Sequence, residues 1–323
     1  MKKPLTQSKM WQDLQDDLGE VSHFVVEDDY QFLAIEKHTK AGNYLFLPYG
    51  PIASGQKSFK KALDTLRSLG KDVGAIFIRI EPQDATLEPI LKAQGIKVHD
   101  VDPADTWVLD LTPDEATIKS HFSQGTRTRY NNYAKKGITV EISEDPADIK
   151  SLVSLQKSLY DKKHLTAFSE KYLATELAQP FATLILVKYN KSTDESHRAK
   201  GNSDKAGNYP DDGQVLAASL FFDYDGTRYY MQSAADQRFK KLPATVALLT
   251  KAIFDAKEQG IKEFDFWGIA PDGADETHPW YGFTEFKKSF GGEPRHYAGT
   301  YDIVLKPIRY KIFNLLKRIQ KSL

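Results

Sequence analysis

The segment between residues 263 and 292 combines aromatic residues, acidic residues and a lysine pair within thirty positions. It begins with an apolar run containing Phe264, Phe266 and Trp267, passes through a loop rich in Gly, Pro and Asp, and restarts at the letters WYGF. A basic helix with Lys287 and Lys288 follows, and two glycines come after it. A buried strand that ends at such a loop, with aromatics and a lysine close behind, is a candidate for a functional site.

The residue types also exclude several kinds of chemistry. No cysteine occurs in the 323 residues, which excludes disulfides, thiolate nucleophiles and thiolate-rich metal sites. The eight histidines show no paired metal-ligand spacing, so we expect neither a metal nor a cofactor. No stretch approaches the roughly 18 apolar residues of a membrane span, and the basic N-terminus has no apolar core behind it. We therefore expect a cytoplasmic protein.

The charges are balanced overall but not locally. The chain has 44 basic and 44 acidic residues, yet residues 116–140 and residues 303–323 contain basic side chains and no acidic one. Two basic zones on a neutral protein indicate anionic partners at defined places. Solvated helix faces explain each zone equally well.

The elements that must position these residues form a weak internal repeat. Residues 45–82 and residues 229–269 each run strand, loop, helix, strand, and each helix ends at a glycine. This pattern favours an α/β (α+β) protein with two similar units and mixed sheets. We expect the first unit at residues 1–135 plus 306–323 and the second at residues 136–305.

One segment between two predicted strands has a different composition. Residues 190–213 contain no Val, Ile or Leu and are predicted to form a mobile hairpin insertion.

The order of elements is similar to the GCN5-related N-acyltransferase (GNAT) fold, which raises the question of the acyl donor. A CoA-dependent member needs close glycines at a helix N-terminus, where backbone N–H groups approach the pyrophosphate. The two available stretches, ASGQKSF and DQRFKKLPAT, lack them. A CoA donor is therefore disfavoured, and we expect the acyl group to arrive on another carrier.

Seven short motifs identify a second and closer resemblance. They are QSKMWQDL, PYGPI, IRIEP, RTRYNNYAKKGITVEI, RYYMQSAAD, FDFWGI and FTEFKKSFGG. Their order and spacing resemble those of the FemABX family of peptidoglycan interpeptide-bridge aminoacyltransferases, in the compact FemX-like form without the helical-hairpin insertion. The resemblance covers nearly the whole chain and implies two tandem GNAT-like domains. It also implies transfer of Gly, Ala or Ser from aminoacyl-tRNA to the stem-peptide amine of lipid II or UDP-MurNAc-pentapeptide.

The same resemblance implies catalytic roles for three residues. Phe286 and Lys287 match a pair beside the reacting carbonyl, where the ammonium would stabilise the oxyanion formed when an amine attacks the ester, a contribution of about 3 kcal/mol. Tyr230 matches a tyrosine close to that centre, where a phenol can donate or relay a proton. A solvated helix lysine and a packed core tyrosine are the plain alternatives. Gly291 and Gly292 would let the chain turn closely behind Lys287.

Four residues are implied on the acceptor side. Arg79 and Glu81 end a first-domain strand, Trp11 packs beneath them, and Tyr172 lies in the second half of the chain. A surface ion pair and ordinary core packing are the alternatives for the first three.

Three positions depart from the family pattern. Gln15 stands where compact relatives carry a phosphate-binding lysine, Phe168 replaces an arginine, and Gln232 replaces a tyrosine. These departures put a UDP-linked acceptor in doubt and favour a lipid-linked one.

The two basic zones fit this resemblance. Arg127, Arg129, Lys135 and Lys136 are candidates to hold tRNA phosphates, which would make binding strongly dependent on salt. The final helix has basic residues around one apolar stripe, formed by Ile308, Ile312, Leu315, Leu316 and Ile319. We expect this stripe to pack onto the first domain, and contact with an anionic membrane surface is the alternative.

The expected partners are therefore aminoacyl-tRNA and a peptidoglycan precursor, with peripheral contact at the inner membrane surface, and we expect a monomer. Two other functions stay open. One is a GNAT-type acyl-CoA N-acyltransferase, and the other is a catalytically inactive module that binds the precursor or RNA. Retention of both Phe286 and Lys287 favours an active enzyme.

Overall fold

The computed structural model describes residues 3–163, 167–195 and 209–322. Of the insertion predicted at residues 190–213, residues 196–208 lie outside this part of the chain. The α-helices in the described residues are α1 Lys9–Asp17, α2 Gln56–Asp72, α3 Glu88–Gln94, α4 Glu115–His121, α5 Gln124–Asn132, α6 Ile149–Lys163, α7 Glu170–Leu177, α8 Ala244–Glu258, α9 Tyr281–Lys288 and α10 Pro307–Ser322. Within the same residues, no helix is both long enough and apolar enough to span a bilayer.

The strands form two mixed sheets. They are β1 Ser22–Val26, β2 Tyr30–Thr39, β3 Gly42–Leu47, β4 Ile52–Ala53, β5 Phe77–Ile80, β6 Ile96–Lys97, β7 Asp105–Asp110, β8 Lys136–Ser143, β9 Ala182–Asp194, β10 Val215–Tyr224, β11 Thr227–Ala235, β12 Glu263–Gly268, β13 Glu293–His296 and β14 Tyr301–Val304. One sheet has the order β1-β2-β3-β5-β14-β6, with β4 paired to β2. The other has the order β13-β7-β12-β11-β10-β9-β8.

The predicted internal repeat is present in both sheets. In the first, β3 and β5 pair in parallel and are joined through α2, and in the second, β11 and β12 pair in parallel and are joined through α8. Parallel neighbours need such a crossover because a hairpin cannot join them. The helices fit this position because one face is apolar, as in α2, where Phe59, Ala62, Leu63 and Leu66 are buried at i, i+3, i+4 and i+7.

The boundaries of the two compact units differ from the prediction. Unit 1 comprises residues 1–105 and 295–323, and unit 2 comprises residues 106–294. The shift has two causes, which are both strand pairings. β7 pairs with β12 and so belongs to unit 2, whereas β14 pairs with β5 and so belongs to unit 1.

The closing helix α10 belongs to unit 1 as predicted, but the face that packs on this unit is not the predicted one. Tyr310 and Phe313 are buried with Ile76 and Phe77 in a small core cluster. The prediction that the stripe beginning at Ile308 packs onto the first domain is wrong, because its described side chains are exposed. Aromatic rings, rather than the aliphatic stripe, fill the space above β5.

Candidate active site

The parallel strands β11 and β12 separate in the middle of the unit 2 sheet. Their register joins Thr227–Tyr229 to Glu263–Asp265. Beyond these residues β11 continues along β10 as far as Ala235, and β12 continues along β7 as far as Gly268. A fork of this kind leaves backbone and side chains accessible between two neighbouring strands.

An irregularity at the end of β12 turns the chain at this fork. Asp265 and Gly268 pair with Val108 and Thr106, so β12 carries one extra residue and forms a bulge. Trp267 lies in the bulge with φ of 65°, which a tryptophan rarely adopts. The Asp265 carboxylate accepts the Trp267 N–H at 2.7 Å and so holds the bulge. Strain of about 1–3 kcal/mol persists at such positions only when the surroundings enforce it.

Lys287 reaches this bulge from α9. Its side chain is 7% exposed, and its Nζ donates to the Gly268 carbonyl at 2.5 Å. Burial lowers the pKa of Lys287 to about 7, and the negative charge of Asp265 opposes this shift. The amine is therefore held in one place with a pKa close to neutrality, where a group can exchange its charge during a reaction.

The residues next to Lys287 fix the position of α9. Phe286 packs against the unit 2 core and meets the ring of Phe290 edge-on at 5.3 Å between centroids. Gly291 and Gly292 both have positive φ, and a Cβ at Gly292 would collide with the backbone of Val108. The predicted close turn behind Lys287 is therefore present, and it requires glycine.

Tyr230 is the first β11 residue beyond the paired segment. Its hydroxyl donates to Ser233 Oγ at 2.7 Å, and its ring stacks on Phe221 at 5.5 Å. Burial raises its pKa. Strand alternation places it on the face opposite Tyr229 and Asp265, the pair on which the bulge begins. Tyr230 is thus at the fork, where it is partly buried against the unit 2 core and its hydroxyl already has a partner.

The loop after β12 borders a cavity of about 340 Å³. Its lining includes Trp107, residues 269–274, Tyr281 and Lys288, whereas Lys287 does not line it. Thr284 Oγ1 accepts the Ala270 N–H at 2.8 Å, which ties the loop to α9. A volume of this size is within the range of small-molecule sites.

Glu176, one helical turn after Tyr172 on α7, has a buried carboxyl group that was not predicted from the sequence. Glu176 is 1% exposed, and burial raises its pKa to about 8, while hydrogen bonds with Tyr172 and Gln232 act in the opposite direction. Gln156, which is fully buried, donates to Gln232 Oε1 at 3.4 Å. Tyr172 also stacks on Phe168, at 4.9 Å between centroids. The helical spacing of Tyr172 and Glu176, four residues apart, was the available signal.

Of the two acceptor-side residues at the end of β5, Arg79 is buried and has a charged partner. It makes two hydrogen bonds of 2.8 Å with Asp302, and its guanidinium lies 5.2 Å from the Phe77 ring centroid and 5.5 Å from that of Tyr44. The side chain is 9% exposed. A buried arginine with a bidentate partner has a structural role in unit 1, and its role as an acceptor ligand stays a prediction.

Glu81 forms part of an acidic pair that includes Asp102, a residue not singled out from the sequence. Glu81 Oε1 accepts from Thr300 Oγ1 and from the N–H groups of Val101 and Asp102 at 2.5–3.2 Å. Its Oε2 is buried and has no hydrogen-bond partner among the described residues. Burial raises the pKa of both carboxyl groups, to about 8 for Glu81 and to about 6 for Asp102, and the negative charge of Asp102 adds to the shift at Glu81. The pair therefore holds a proton more readily than a single exposed acid would. Trp11 is buried in unit 1, which agrees with ordinary core packing, and its role beneath the acceptor site stays a prediction.

The four residues predicted to bind tRNA lie on or near α5 and at the start of β8. Arg129, Lys135 and Lys136 are exposed. Arg127 differs, because its guanidinium donates to the carbonyl groups of Ser120 and Phe122 and so closes the C-terminal end of α4. Three of the four side chains are thus positioned to meet a polyanion, and Arg127 has a structural role.

Comparisons with known proteins agree with the motif order. The model of the FemAB family matches residues 186–318, which include Tyr230, Phe286 and Lys287. A curated lipid II:glycine glycyltransferase of Staphylococcus aureus (strain USA300) is 21% identical over 332 residues, which cover 83% of this chain and 78% of that protein.

Solved structures show the same fold. The crystal structure of FemX superposes with a TM-score of 0.78 at 17% identity, over 96% of this chain and 94% of that one. A tandem GNAT protein from the clavulanic acid biosynthesis pathway gives a TM-score of 0.50 at 9% identity, over 85% and 78% of the two chains. The predicted fold class, with two tandem GNAT-like units, is confirmed. The resemblance to the FemABX family that the motifs predicted is confirmed as well.

Proposed function

We propose that this chain is an aminoacyltransferase that moves an amino acid from aminoacyl-tRNA to an amine of a lipid-linked peptidoglycan precursor. The observation that carries the proposal is the buried Lys287, anchored on the Gly268 carbonyl at the fork of β11 and β12. The curated relative is named as a lipid II:glycine glycyltransferase, which supports lipid II as acceptor and glycine as the transferred residue.

The reaction is a displacement at an ester carbonyl. The acceptor amine forms a C–N bond to the carbonyl carbon, the C–O bond to the tRNA ribose breaks, and the proton lost by the amine ends on the ribose oxygen. No nucleophilic side chain is needed, because the ester is already activated. What the protein must supply is orientation and a positive group for the transient oxyanion.

Lys287 is suited to that second task. An ammonium has three donors, of which the Gly268 carbonyl takes one. An oxyanion that forms beside it raises its pKa above 7, so the proton is held most firmly in the transition state. This is the differential interaction from which catalysis arises, because the buried charge costs energy before the oxyanion appears. The Asp265 carboxylate holds the bulge, and the bulge fixes the Gly268 carbonyl that orients the Lys287 amine.

On the donor side, exposed basic residues of unit 2 support tRNA binding. Arg129, Lys135 and Lys136 have no acidic residue between them in sequence. Near α9, Trp280 and Phe283 are about 40% exposed, with ring centroids 5.7 Å apart, and Phe283 lies 5.0 Å from Lys287 Nζ. Exposed aromatic rings stack on unpaired bases, so these two would take the single-stranded end of the tRNA.

On the acceptor side, two of the three departures from the family pattern, Gln15 and Phe168, favour the lipid-linked precursor. Gln15 is buried, and Phe168 presents an aromatic ring that is 41% exposed and stacked on Tyr172. Neither side chain can pair with a pyrophosphate. A UDP-linked acceptor would lose charge-assisted contacts of about 1.5–3 kcal/mol each. We place the protein at the cytoplasmic face of the membrane, in peripheral contact, where such an acceptor lies.

The decisive experiment supplies a mixed pool of charged tRNAs together with either lipid II or the UDP-linked pentapeptide, and it measures product mass. We expect one aminoacyl residue to be added to lipid II, with slower use of the soluble precursor. Equal or faster use of the UDP-linked pentapeptide would contradict the acceptor assignment. No product from any charged tRNA, combined with micromolar binding of CoA by calorimetry, would replace this proposal with acyl-CoA transfer.

The tRNA assignment has its own test, in the salt dependence of binding. Replacing Arg129, Lys135 and Lys136 together by glutamine removes three positive charges. The slope of log affinity against log salt concentration, which is negative, should become less steep by about 2 to 3. A matched control replaces Lys57 and Lys60, two exposed lysines of α2 in unit 1. An equal loss of slope in the control would show that the binding depends on overall charge rather than on this surface.

A further inference from the structure

Helix α10 exposes an apolar face on the side opposite its buried face. The spacing i, i+4, i+7, i+8 puts four aliphatic side chains on one stripe. Their exposed fractions are 78% for Ile308, 51% for Ile312, 58% for Leu315 and 40% for Leu316. Tyr310 and Phe313 anchor the other side of the helix in unit 1. Ile319 lies outside the residues whose side chains the structure describes.

Basic residues border this stripe on both sides. At about 100° per residue, Arg309 lies beyond one edge of the stripe, and Lys311 and Arg318 lie beyond the other. Between residues 303 and 323 no acidic residue interrupts this arrangement. An apolar face with cationic borders matches a surface that is apolar at depth and anionic at its head groups.

We propose that α10 docks flat on an anionic phospholipid surface, with the stripe inserted between head groups and the flanking basic side chains on the lipid phosphates. A second copy of the chain fits this face less well, because pairing two stripes would bring their basic borders together. The proposal goes beyond the transfer reaction, since the helix would bind lipid whether or not the chain transfers an aminoacyl group.

The geometry of the side chains supports insertion without loss of the fold. The aliphatic side chains already extend into solvent, so docking removes apolar area from water without unpacking unit 1. The Arg and Lys stems can lie along the same apolar layer while their charged ends remain at the phosphates. Because Tyr310 and Phe313 fasten α10 to unit 1, docking would also orient that unit relative to the lipid surface.

Vesicle sedimentation with the full-length chain tests the proposal. The probes are phosphatidylcholine vesicles with and without phosphatidylglycerol, at low and high salt, with no tRNA or precursor present. We expect binding to the anionic vesicles that weakens with salt. Replacing Ile312 and Leu315 by serine should weaken it roughly tenfold per residue. Replacing Arg309 and Lys311 by glutamine should weaken it about fivefold per residue.

Matched controls carry the same chemical changes elsewhere on unit 1. Val21→Ser and Val26→Ser remove aliphatic groups that are 51% and 61% exposed, and Lys57→Gln with Lys60→Gln removes two exposed charges. Each control should change vesicle affinity by less than about twofold, which is the scale of ordinary surface changes. The Lys287→Met variant should bind vesicles like the wild type, so that failure of the chemistry and failure of the docking are separate results.

Three results would overturn the proposal. The first is absence of binding to anionic vesicles, and the second is equal loss in the α10 variants and their controls. The third is a dimer in sedimentation equilibrium that Ile312→Ser and Leu315→Ser dissociate, which would assign the stripe to a second copy of the chain.

Discussion

Replacing Lys287 by methionine should make the protein more stable and inactive at the same time. Methionine has a similar length and no charge, so it fills the same space in the buried position. In the wild type, burial lowers the pKa of Lys287 from 10.5 to about 7. Between these two values the unfolded chain binds a proton that the folded chain does not, so wild-type stability rises with pH in this window. The advantage of the variant should therefore be largest below pH 7.

The magnitude follows from the same two pKa values. Their difference corresponds to roughly 5 kcal/mol of destabilisation at low pH. Against this, the variant leaves the Gly268 carbonyl without its donor, which costs about 1–3 kcal/mol. The net gain at pH 6 should be about 2–4 kcal/mol. Between pH 6 and pH 9 this gain should shrink by roughly 3 kcal/mol, because the wild type loses its buried proton there.

The assay is denaturant unfolding of both proteins at pH 6, 7, 8 and 9, together with single-turnover transfer. We expect transfer to fall at least a hundredfold, since the ammonium interacts most strongly in the transition state. Lys288→Met is the matched control, because Lys288 is exposed, pairs with Glu285 on the same helix at 2.9 Å and lies 5.8 Å from the Trp107 ring centroid. That change should alter stability by less than about 1 kcal/mol at every pH. A Lys287→Met protein that is less stable than wild type at pH 6, or whose advantage does not change with pH, would refute the reasoning.

Three further substitutions test other charged groups of the two units. Glu176→Gln should gain stability relative to wild type by up to roughly 4 kcal/mol as pH rises from 5 to 8. The pKa of Glu176 is raised to about 8 in the folded wild type, so the wild type loses stability through that range. A pH-independent difference in unfolding free energy would contradict this. Asp265→Asn keeps the hydrogen bond to the bulge but removes the charge that raises the pKa of Lys287, so the alkaline limit of transfer should move to lower pH; an unchanged pH–rate profile would exclude Asp265 from this role. Arg79→Met should cost about 3–5 kcal/mol in unfolding free energy, because Asp302 stays buried without its positively charged partner and its carboxylate keeps the hydrogen bond from Tyr310. If the role of Arg79 is structural, the KM for the acceptor should stay unchanged, and a rise in KM without loss of stability would instead support Arg79 as an acceptor ligand.

Much of the fold follows from local patterns in the sequence. The strand–helix–strand repeats, the apolar face of α2 and the glycines behind Lys287 are all readable, because hydrophobic period and turn chemistry act over a few residues. The motif order identified the resemblance to the FemABX family without the structure. The residue pair Phe286 and Lys287 was likewise singled out from its motif alone.

The boundaries of the two units could not be predicted from local sequence patterns. β7 belongs with β12, which begins more than 150 positions later, and nothing near residue 106 specifies that partner. Strand pairing of this kind is a property of the folded sheet, since a strand presents the same hydrogen-bonding groups to any neighbour.

The electrostatic character of the site is also decided by tertiary structure. The sequence shows that a lysine, an arginine and several carboxylates are present. It does not show which of these groups are removed from water in the folded protein. Folding places Lys287 beside the bulge with a pKa near 7, encloses Arg79 with Asp302, and turns Ile308 rather than Tyr310 to the solvent. Each outcome depends on burial and on partners distant in sequence, and because desolvation and charge pairing act through space, they exist only once the chain has folded.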